Sequence, residues 1–309
     1  MSGLKSLLRT RTLILVLLSM IVIALRLFTR YPQLVERLYA HGFYRMLLPP
    51  LSRLTGVVPF SLAEAAILLL LVWLAVEAIR GLRSKPGSAQ NGTRGWLGPV
   101  LVVGLLYVGF LSLWGLNYYR PTMAQAAGLD ERKATRKEII ALTQILVRQA
   151  NRLHPQVDEG DSGIMQLQDR ASVLQSAPIG YARLKSSFPV IRGEYGRPKF
   201  LMFSALMSRL GLYGFYFPFT GEANINPDIP EVMLPCSVCH EMAHQRGIAR
   251  EEEANFVAYF ACMAHPAPEF QYSGTVFALT YVLSDVKARD PKVFQELSRD
   301  LNPGVVRDL

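Results

Sequence analysis

Three long apolar runs near the N-terminus constrain the fold of this chain more than any other feature. They cover about residues 12–28, 59–80 and 96–118. Each run is close to the length that a helix needs to cross the hydrocarbon core of a bilayer. The sequence therefore predicts three transmembrane helices, which form a membrane domain over residues 1–119 with the lipid bilayer as partner.

The composition supports a membrane protein. Half of the 309 residues are hydrophobic, only 18% are charged, and the net charge is +9. Few charges and many apolar residues exclude a disordered chain. Because many Arg and Lys residues flank the apolar runs, we expect them to face lipid headgroups, and we expect no nucleic-acid partner.

The distribution of basic residues predicts the orientation. Lys and Arg are denser at the N-terminus and in residues 80–95 than in residues 29–58. Loops rich in basic residues stay on the cytoplasmic side of a membrane. We therefore expect a multi-pass protein of the cell membrane whose domain after Tyr119 is extracytoplasmic.

The loop of residues 31–58 has an amphipathic pattern. Its apolar residues recur at helical spacing, namely Leu34, Leu38, Phe43, Met46 and Leu47. An amphipathic helix lying on the membrane surface and a helix packed against the C-terminal half both fit this pattern. Just beyond the loop, Ser61 and Glu64 have the spacing of a capping box at the start of the second apolar run.

The composition changes at Arg120, and residues 120–309 form the second predicted domain. A capping box at Thr135 and Glu138 predicts a helix to about Leu153. Further helices are predicted over residues 170–186 and 200–210. Residues 214–221 are aromatic and bounded by glycines, which predicts an edge strand or hairpin. The fold class is therefore mainly α, with three transmembrane helices followed by a soluble α+β domain.

The segment His240-Glu241-Met242-Ala243-His244 carries the chemistry. On a helix, His240 and His244 lie one turn apart and both imidazoles can reach one metal ion. Glu241 is rotated about 100° from His240. Its carboxylate is then beside the ion, where it can act as a general base in zinc-dependent hydrolysis.

A catalytic zinc site needs a third protein ligand. Gly247 can end the first helix in a left-handed conformation, and a second helix is predicted from about Arg250. Its first turn contains Glu251, Glu252 and Glu253, which also suit a helix N-terminus without any metal. We expect Glu251 as ligand, with the other two as fallbacks, because it precedes Asn255 by one turn, a spacing that recurs in zinc peptidases. Asn255 would then hydrogen-bond a ligand.

Other interpretations of this region stay open. Cys236-x-x-Cys239-His240 matches a c-type haem attachment signature, and the two cysteines could also form a disulfide or be small buried residues. A non-catalytic envelope or sensor protein stabilised by a metal is a further alternative. An intramembrane protease is excluded because the apolar stretches around the motif are shorter than a span.

Aromatic residues are candidates for substrate binding. Phe217 and Phe219, in the predicted edge strand, could contact an extended peptide that adds to the strand. Tyr272, Tyr216 and Arg250 are candidates for stabilising an oxyanion.

The chain resembles an uncharacterised family of bacterial membrane proteins with three spans followed by a zinc-peptidase-like domain. The resemblance is carried by residues 59–64, 114–120, 198–199, 214–224, 240–247 and 251–256.

The site is more distantly similar to that of gluzincin peptidases, which pair His-Glu-x-x-His with a glutamate on a following helix. That similarity implies zinc as cofactor, His240, His244 and Glu251 as ligands, Glu241 as base, and a zincin-like domain. Only six residues separate His244 from Glu251, fewer than in most gluzincins. We expect a membrane-anchored zinc metallohydrolase, above all a peptidase that cleaves extracytoplasmic peptides or proteins.

Overall fold

The computed structural model describes residues 2–83, 93–126, 128, 132–184 and 188–309. The protein is mainly helical with a small sheet, as the sequence predicts. The first half contains α1 (Ser2–Phe28), α2 (Pro32–Leu34), a π-helix (Val35–Tyr44), α3 (Arg45–Thr55), α4 (Leu62–Arg83), α5 (Thr93–Leu113), a 3-10 helix (Gly115–Tyr119) and α6 (Met123–Ala126).

The remaining elements follow in the second half. They are α7 (Arg136–Leu153), 3-10 turns (His154–Gln156, Pro189–Ile191 and Glu231–Met233), α8 (Arg170–Ser176), α9 (Pro178–Leu184), β1 (Lys199–Phe200), α10 (Ser204–Arg209), β2 (Gly214–Phe217), β3 (Glu222–Ile225), α11 (Leu234–Gln245), α12 (Glu251–Ala264), α13 (Pro268–Arg289), α14 (Pro291–Arg299) and α15 (Pro303–Asp308).

Two helices in the described residues are long and apolar enough to cross a membrane. They span Arg9–Phe28 and Leu62–Arg83, and few of their side chains are buried within the protein. By this measure the structure supports two of the three predicted spans, since the apolar part of α5 is shorter and covers Leu97–Leu113. Residues 84–92 of the predicted basic loop lie outside the described residues.

The predicted third run is shortened because its last residues belong to the protein core. The α-helix ends at Leu113, and Trp114 leaves the helical conformation with φ −146°. The 3-10 helix that follows buries Leu116 and Asn117. Helix α5 itself packs against α1, so closely that a Cβ on Gly104 would lie 3.1 Å from Leu18.

The loop of residues 31–58 packs against the C-terminal half, as one of the two alternatives left open by the sequence expects. Its part of the shared core consists of Val35, Tyr39, Ala40, Tyr44 and Leu48, which pack with Trp114, Leu116 and Ala249. Four residues of the predicted apolar face are exposed instead, namely Leu34, Leu38, Phe43 and Met46. The wider turn of the π-helix, with its i→i+5 bonds, brings a different set of residues onto one face.

The principal core lies in the C-terminal half, where α7, α11, α12 and α13 pack together. The predicted capping box at Thr135 and Glu138 is present and starts α7. The helix predicted over residues 170–186 is instead two helices, α8 and α9, because Pro178 follows Ala177 and cannot continue the backbone bonding. Residues 185 and 186 lie outside the described residues.

The sheet has the strand order β1-β3-β2. β1 is parallel to β3, and β2 pairs with β3 as an antiparallel hairpin in which Phe217 lies opposite Glu222. The prediction of an edge strand in residues 214–221 is confirmed for Gly214–Phe217. The helix predicted over residues 200–210 covers only Ser204–Arg209, since Phe200 belongs to β1.

A buried ion pair joins the sheet to the start of α4. Lys199 on β1 and Glu222 on β3 are 5% and 2% exposed and contact each other directly. The Glu222 carboxylate accepts hydrogen bonds from the backbone N–H groups of Leu62 (3.3 Å) and Ala63 (2.8 Å), which are unpaired donors at the helix N-terminus. Lys199 Nζ donates to the carbonyl oxygens of Thr55 and Phe60, both at 2.9 Å.

The predicted capping box at Ser61 forms only in half. Ser61 Oγ accepts from the N–H of Glu64 at 3.1 Å, as an N-cap should. The Glu64 carboxylate does not close the box and instead accepts from the N–H groups of Met202 (2.9 Å) and Phe203 (2.8 Å). The first turn of α4 is therefore bonded to the C-terminal half through two acidic residues, Glu64 and Glu222.

Replacing Lys199 by Met should destabilise the protein, because Glu222 would remain buried without its counter-charge. We expect a loss of about 3–5 kcal/mol in the free energy of unfolding, measured by equilibrium denaturation in detergent micelles. The control is Arg289→Met, which removes an exposed pair with Asp285 and should cost less than about 1 kcal/mol. Equal losses in the two variants would contradict the assigned role of the buried pair.

Candidate metal centre

Helix α11 holds the His-Glu-x-x-His segment in the centre of the protein. Met242 and Ala243 are 1% and 0% exposed and face the core. The buried Gln245 side chain donates hydrogen bonds to Ser52 Oγ (2.9 Å) and to the carbonyl oxygen of Gly221 (3.0 Å). The end of the helix is thereby attached both to α3 and to the sheet.

A Schellman motif ends α11. The N–H of Gly247 donates to the carbonyl of His244 at 2.8 Å, and the N–H of Ile248 donates to that of Ala243 at 3.2 Å. Gly247 has φ +83°, which confirms the predicted left-handed helix end. The chain therefore reverses within a few residues and starts α12 at Glu251.

This reversal brings Glu251 back to the two histidines. Glu251 Oε2 lies 3.2 Å from His240 Nε2, Glu251 Oε1 lies 3.6 Å from His244 Nε2, and the two Nε2 atoms are 3.0 Å apart. One ligand atom from each residue falls within 4.8 Å of the others, and in the described part of the chain no other group of three or more His, Cys, Asp or Glu does so. The three side chains could therefore hold one metal ion.

The charges within this group favour an ionised carboxylate. The close approach of His240 and His244 holds the pKa of Glu251 well below its usual range. Burial alone would lower the pKa of His244, but the nearby carboxylates of Glu251 and Glu241 outweigh burial and raise it. An anionic oxygen facing two imidazoles is the electrostatic arrangement of a cation site.

Glu252 and Glu253, the fallback ligands, do not join the group. Both line a second cavity on the other side of the segment that links α11 to α12. Glu253 Oε1 accepts from the N–H of Met123 at 2.7 Å and pairs with Arg250. Their positions follow from the helical period, which turns each residue about 100° from the one before.

The ring of His244 is oriented by a group that the sequence analysis did not identify. His244 Nδ1 lies 2.7 Å from the carbonyl oxygen of Ile248 and donates its proton to it. That bond leaves the lone pair on Nε2, the atom that faces Glu251. Trp114 packs edge-on against the same ring, with 5.7 Å between centroids. The Schellman turn could have indicated the Ile248 carbonyl, but nothing in the sequence pairs Trp114 with His244.

An ion pair supports the segment that carries Ile248. Arg120 donates to the carbonyl of Gly247 at 2.8 Å and binds both carboxylate oxygens of Glu36, at 2.6 and 2.9 Å. Burial of Glu36 would raise its pKa, but the bonds and charge of Arg120 outweigh burial and lower it. The π-helix and the chain after α5 therefore both contribute to the position of His244.

Glu241 lies beside the histidines and is 6% exposed. Burial raises the pKa of its carboxyl group above the usual range. One oxygen, Oε2, is buried without a hydrogen-bond partner. Gly214 allows this approach, since a Cβ at that position would lie 2.9 Å from Glu241 Oε1 and 2.7 Å from its Cγ.

A cavity of about 760 Å³ opens over these residues. Its walls come from β2 and the segment before it, from the segment after α5, and from α13. The aromatic residues of these walls include Trp114, Phe215, Tyr216, Phe277 and Tyr281. The sequence analysis did not identify the α13 wall. Phe277, Thr280 and Tyr281 have i, i+3, i+4 spacing, which could have indicated a shared face.

The other predicted site residues have mixed positions. Asn255 lines the cavity, but the structure records no hydrogen bond from its side chain to His240, His244 or Glu251. Tyr216 also lines the cavity, whereas Arg250 faces the second cavity and donates to the backbone carbonyls of Tyr118 and Arg120.

Three residues predicted to contact substrate, Phe217, Phe219 and Tyr272, do not line this cavity. The rings of Phe217 and Phe219 pack against each other at a tilt, and Phe219 lies against α5, where a Cβ on Gly109 would be 2.8 Å from its ring. Tyr272 is fully buried and donates to Asp308 Oδ2 at 2.6 Å. Each of the three side chains instead contacts a packing partner within the protein.

The cysteines form a buried cluster. Cys236, Cys239 and Cys262 are all free thiols with no exposed surface. Burial, with contacts to Cys236 and Cys239, raises the pKa of Cys262. Among the alternatives left open by the sequence, this environment favours small buried residues over a disulfide or haem attachment.

Replacing Gly247 by Ala should destabilise the turn between α11 and α12. An L-residue in a left-handed conformation costs about 1–2 kcal/mol, and the new Cβ would also lie 3.1 Å from Tyr44 and Asn117. Thermal unfolding in detergent should detect this loss. Gly42→Ala, at an exposed helical position with room for a Cβ, should be neutral, and an equal loss there would contradict the account.

Comparison with known proteins places the chain in a family. Residues 39–309 match the family described as "Protein of unknown function (DUF3810)". No curated protein and no solved structure matches the chain. The match extends over more than half of the sequence, and it confirms the prediction of an uncharacterised family. The protein is therefore a member of the DUF3810 family.

Proposed function

We propose that this protein is a membrane-anchored, zinc-dependent metallohydrolase, and specifically a peptidase. The observation that carries the proposal is the convergence of His240, His244 and Glu251, with one ligand atom from each within 4.8 Å of the others. Glu241 lies next to them in the same cavity. Two imidazoles and one carboxylate form a donor set that is known from catalytic zinc sites.

The residues fit a zinc ion in further respects. The lone pair of His244 Nε2 is directed at the group, since Nδ1 bonds to the Ile248 carbonyl. The cavity beside the ligands leaves space for a fourth, exchangeable position, which distinguishes catalytic from structural sites. A zinc ion bound here would supply Lewis acidity, which lowers the pKa of water and polarises a carbonyl group.

Glu241 is the proposed general base. Its unpartnered Oε2 accepts the proton of the attacking water and later delivers it to the leaving amine. Burial and the contact with Gly214 hold the carboxylate in one position. The arrangement resembles that of the gluzincins, and on this basis we propose a zincin-like fold for residues 120–309.

The sheet supports a polypeptide as substrate. β2 is an edge strand, paired with β3 on one side only among the described strands. Gly214, Phe215 and Tyr216 of this strand line the cavity. An extended peptide can pair with such an edge through its backbone, and this would hold a peptide bond beside the proposed zinc ligands.

We further propose that α5 crosses the membrane together with α1 and α4. Its full length is 21 residues, or about 31 Å at the rise of an α-helix, and it packs along α1. With three spans, the basic N-terminus on the cytoplasmic side leaves residues 120–309 outside the cytoplasm.

Glu251→Ala should abolish stoichiometric zinc binding, whereas Glu252→Ala should preserve it. The two residues are neighbours on the first turn of α12, but only Glu251 faces the histidines. We expect zinc affinity to fall at least about 100-fold in Glu251→Ala. That is more than is typical when the lost residue only hydrogen-bonds a zinc ligand. Metal analysis of purified, dialysed protein measures this, and equal zinc contents would exclude Glu251 as a ligand.

Glu241→Gln should keep the zinc and lose hydrolysis. The amide has the same shape but cannot accept the proton, so kcat/KM should fall by about 10²–10⁴-fold on a peptide substrate found by library screening. The measurement pairs metal analysis with peptide cleavage. A variant that holds zinc and retains wild-type cleavage would contradict the proposed base and would favour the non-catalytic, metal-stabilised envelope or sensor protein.

A further inference from the structure

An exposed apolar segment connects the start of α4 to the wall of the cavity. Within residues 202–213, here called the rim, six large apolar side chains are between 39% and 67% exposed, namely Met202, Phe203, Leu206, Leu210, Leu212 and Tyr213. Arg209 is the only charged residue of the rim. A contiguous apolar patch of this kind on a protein surface indicates an interaction site.

The first end of the rim is bonded to the membrane helix α4. The carboxylate of Glu64, in the first turn of α4, accepts hydrogen bonds from the N–H groups of Met202 and Phe203 at 2.8–3.1 Å. The chain that enters α4 also exposes apolar side chains, with Val57 at 81% and Phe60 at 46%. The rim therefore lies at the level where α4 leaves the soluble half.

The second half of the rim is held from beneath by one buried amide. Asn226 is 1% exposed, and its Nδ2 donates to Ser208 Oγ and to the carbonyl of Leu212, both at 3.0 Å. Its own N–H donates to the carbonyl of Tyr213 at 2.8 Å. These bonds fix the backbone while the apolar side chains point outward, so the exposure is a property of the folded structure.

The far end of the rim forms part of the cavity. Gly211, Leu212 and Tyr213 line it together with His240 and Glu241. One short segment is thus attached to a membrane helix at one end and borders the proposed zinc site at the other. A single Arg among exposed Leu, Met, Phe and Tyr is typical of a surface that lies in the lipid headgroup region.

We propose that the rim inserts into the headgroup layer of the bilayer and places the mouth of the cavity at the membrane surface. The partner is the lipid leaflet that α4 enters. One part of this inference, the substrate class, rests on the proposed function. If the protein is a peptidase, its substrate is a polypeptide that its own anchor holds at the same membrane surface. Sharing a surface raises the effective concentration of such a substrate relative to a free peptide.

An environment-sensitive fluorophore on Leu206→Cys tests the insertion directly. The native cysteines are buried, so labelling falls on the introduced thiol. In liposomes containing nitroxide-labelled lipids, we expect a blue-shifted and strongly quenched fluorophore. The matched control is Gln295→Cys on the exposed face of α14, which should show neither effect.

Two results would overturn the proposal. A fluorophore at position 206 that stays as water-exposed as the one at position 295 would show that the rim does not meet the bilayer. A blue shift without quenching by the nitroxide lipids would indicate that protein, such as a second copy of the chain, covers the rim. Neither result depends on zinc or hydrolysis, so failure of the insertion is distinguishable from failure of the proposed function.

A second experiment tests the substrate class. The double variant Leu206→Glu and Leu210→Glu should cleave a lipid-tethered peptide at least about tenfold less efficiently than wild type, because the mouth of the cavity no longer meets the lipid surface that concentrates the peptide. Cleavage of the same peptide without its tether should be unchanged. Equal losses on both peptides would contradict the role of the rim in presenting membrane-held substrates.

Discussion

The left-handed turn at Gly247 is the constraint on which the candidate site depends. Only six residues separate His244 from Glu251, so α11 must end and α12 must begin almost immediately. A Schellman motif achieves this, since it reverses the chain and pairs the last carbonyl groups of α11. The same turn directs the Ile248 carbonyl to the ring of His244. One backbone conformation therefore places one candidate ligand and orients another.

The N-terminal half contributes to the candidate site and also contains the long apolar helices. Tyr44 in the π-helix, Trp114 after α5 and Arg120 all contact the end of α11 or the turn beyond it. The Lys199–Glu222 pair joins the sheet to the start of α4 in the same region. The long apolar helices and the C-terminal half are thus connected through buried polar contacts, which are costly to break. The rim at residues 202–213 extends this junction to the edge of the cavity.

Local patterns predicted the elements closest to the site. The helical spacing of His240 and His244, the glycine at position 247 and the acidic start of α12 all follow from short-range rules, and the structure has them as expected. The edge strand was also predictable, because residues 214–217 are aromatic and precede Pro218.

Non-local packing was not predictable in the same way. The π-helix changed the buried face of residues 35–44, since its period differs from that of an α-helix. The final residues of the third apolar run entered the core, so hydropathy alone overestimated that span. Tyr272 is aromatic and polar, which suits a cavity, yet its partner Asp308 lies 36 residues away and draws it into the core. Such pairings depend on the tertiary fold, which a single sequence does not display.

X-ray absorption spectroscopy at the zinc edge of the purified protein tests the central claim most directly. The account predicts one zinc ion with two imidazole nitrogens and a carboxylate oxygen in its first shell, at about 2.0–2.2 Å. Sulfur ligands at about 2.3 Å, which only the buried cysteines or methionines could supply, or a protein that retains no zinc, would contradict it.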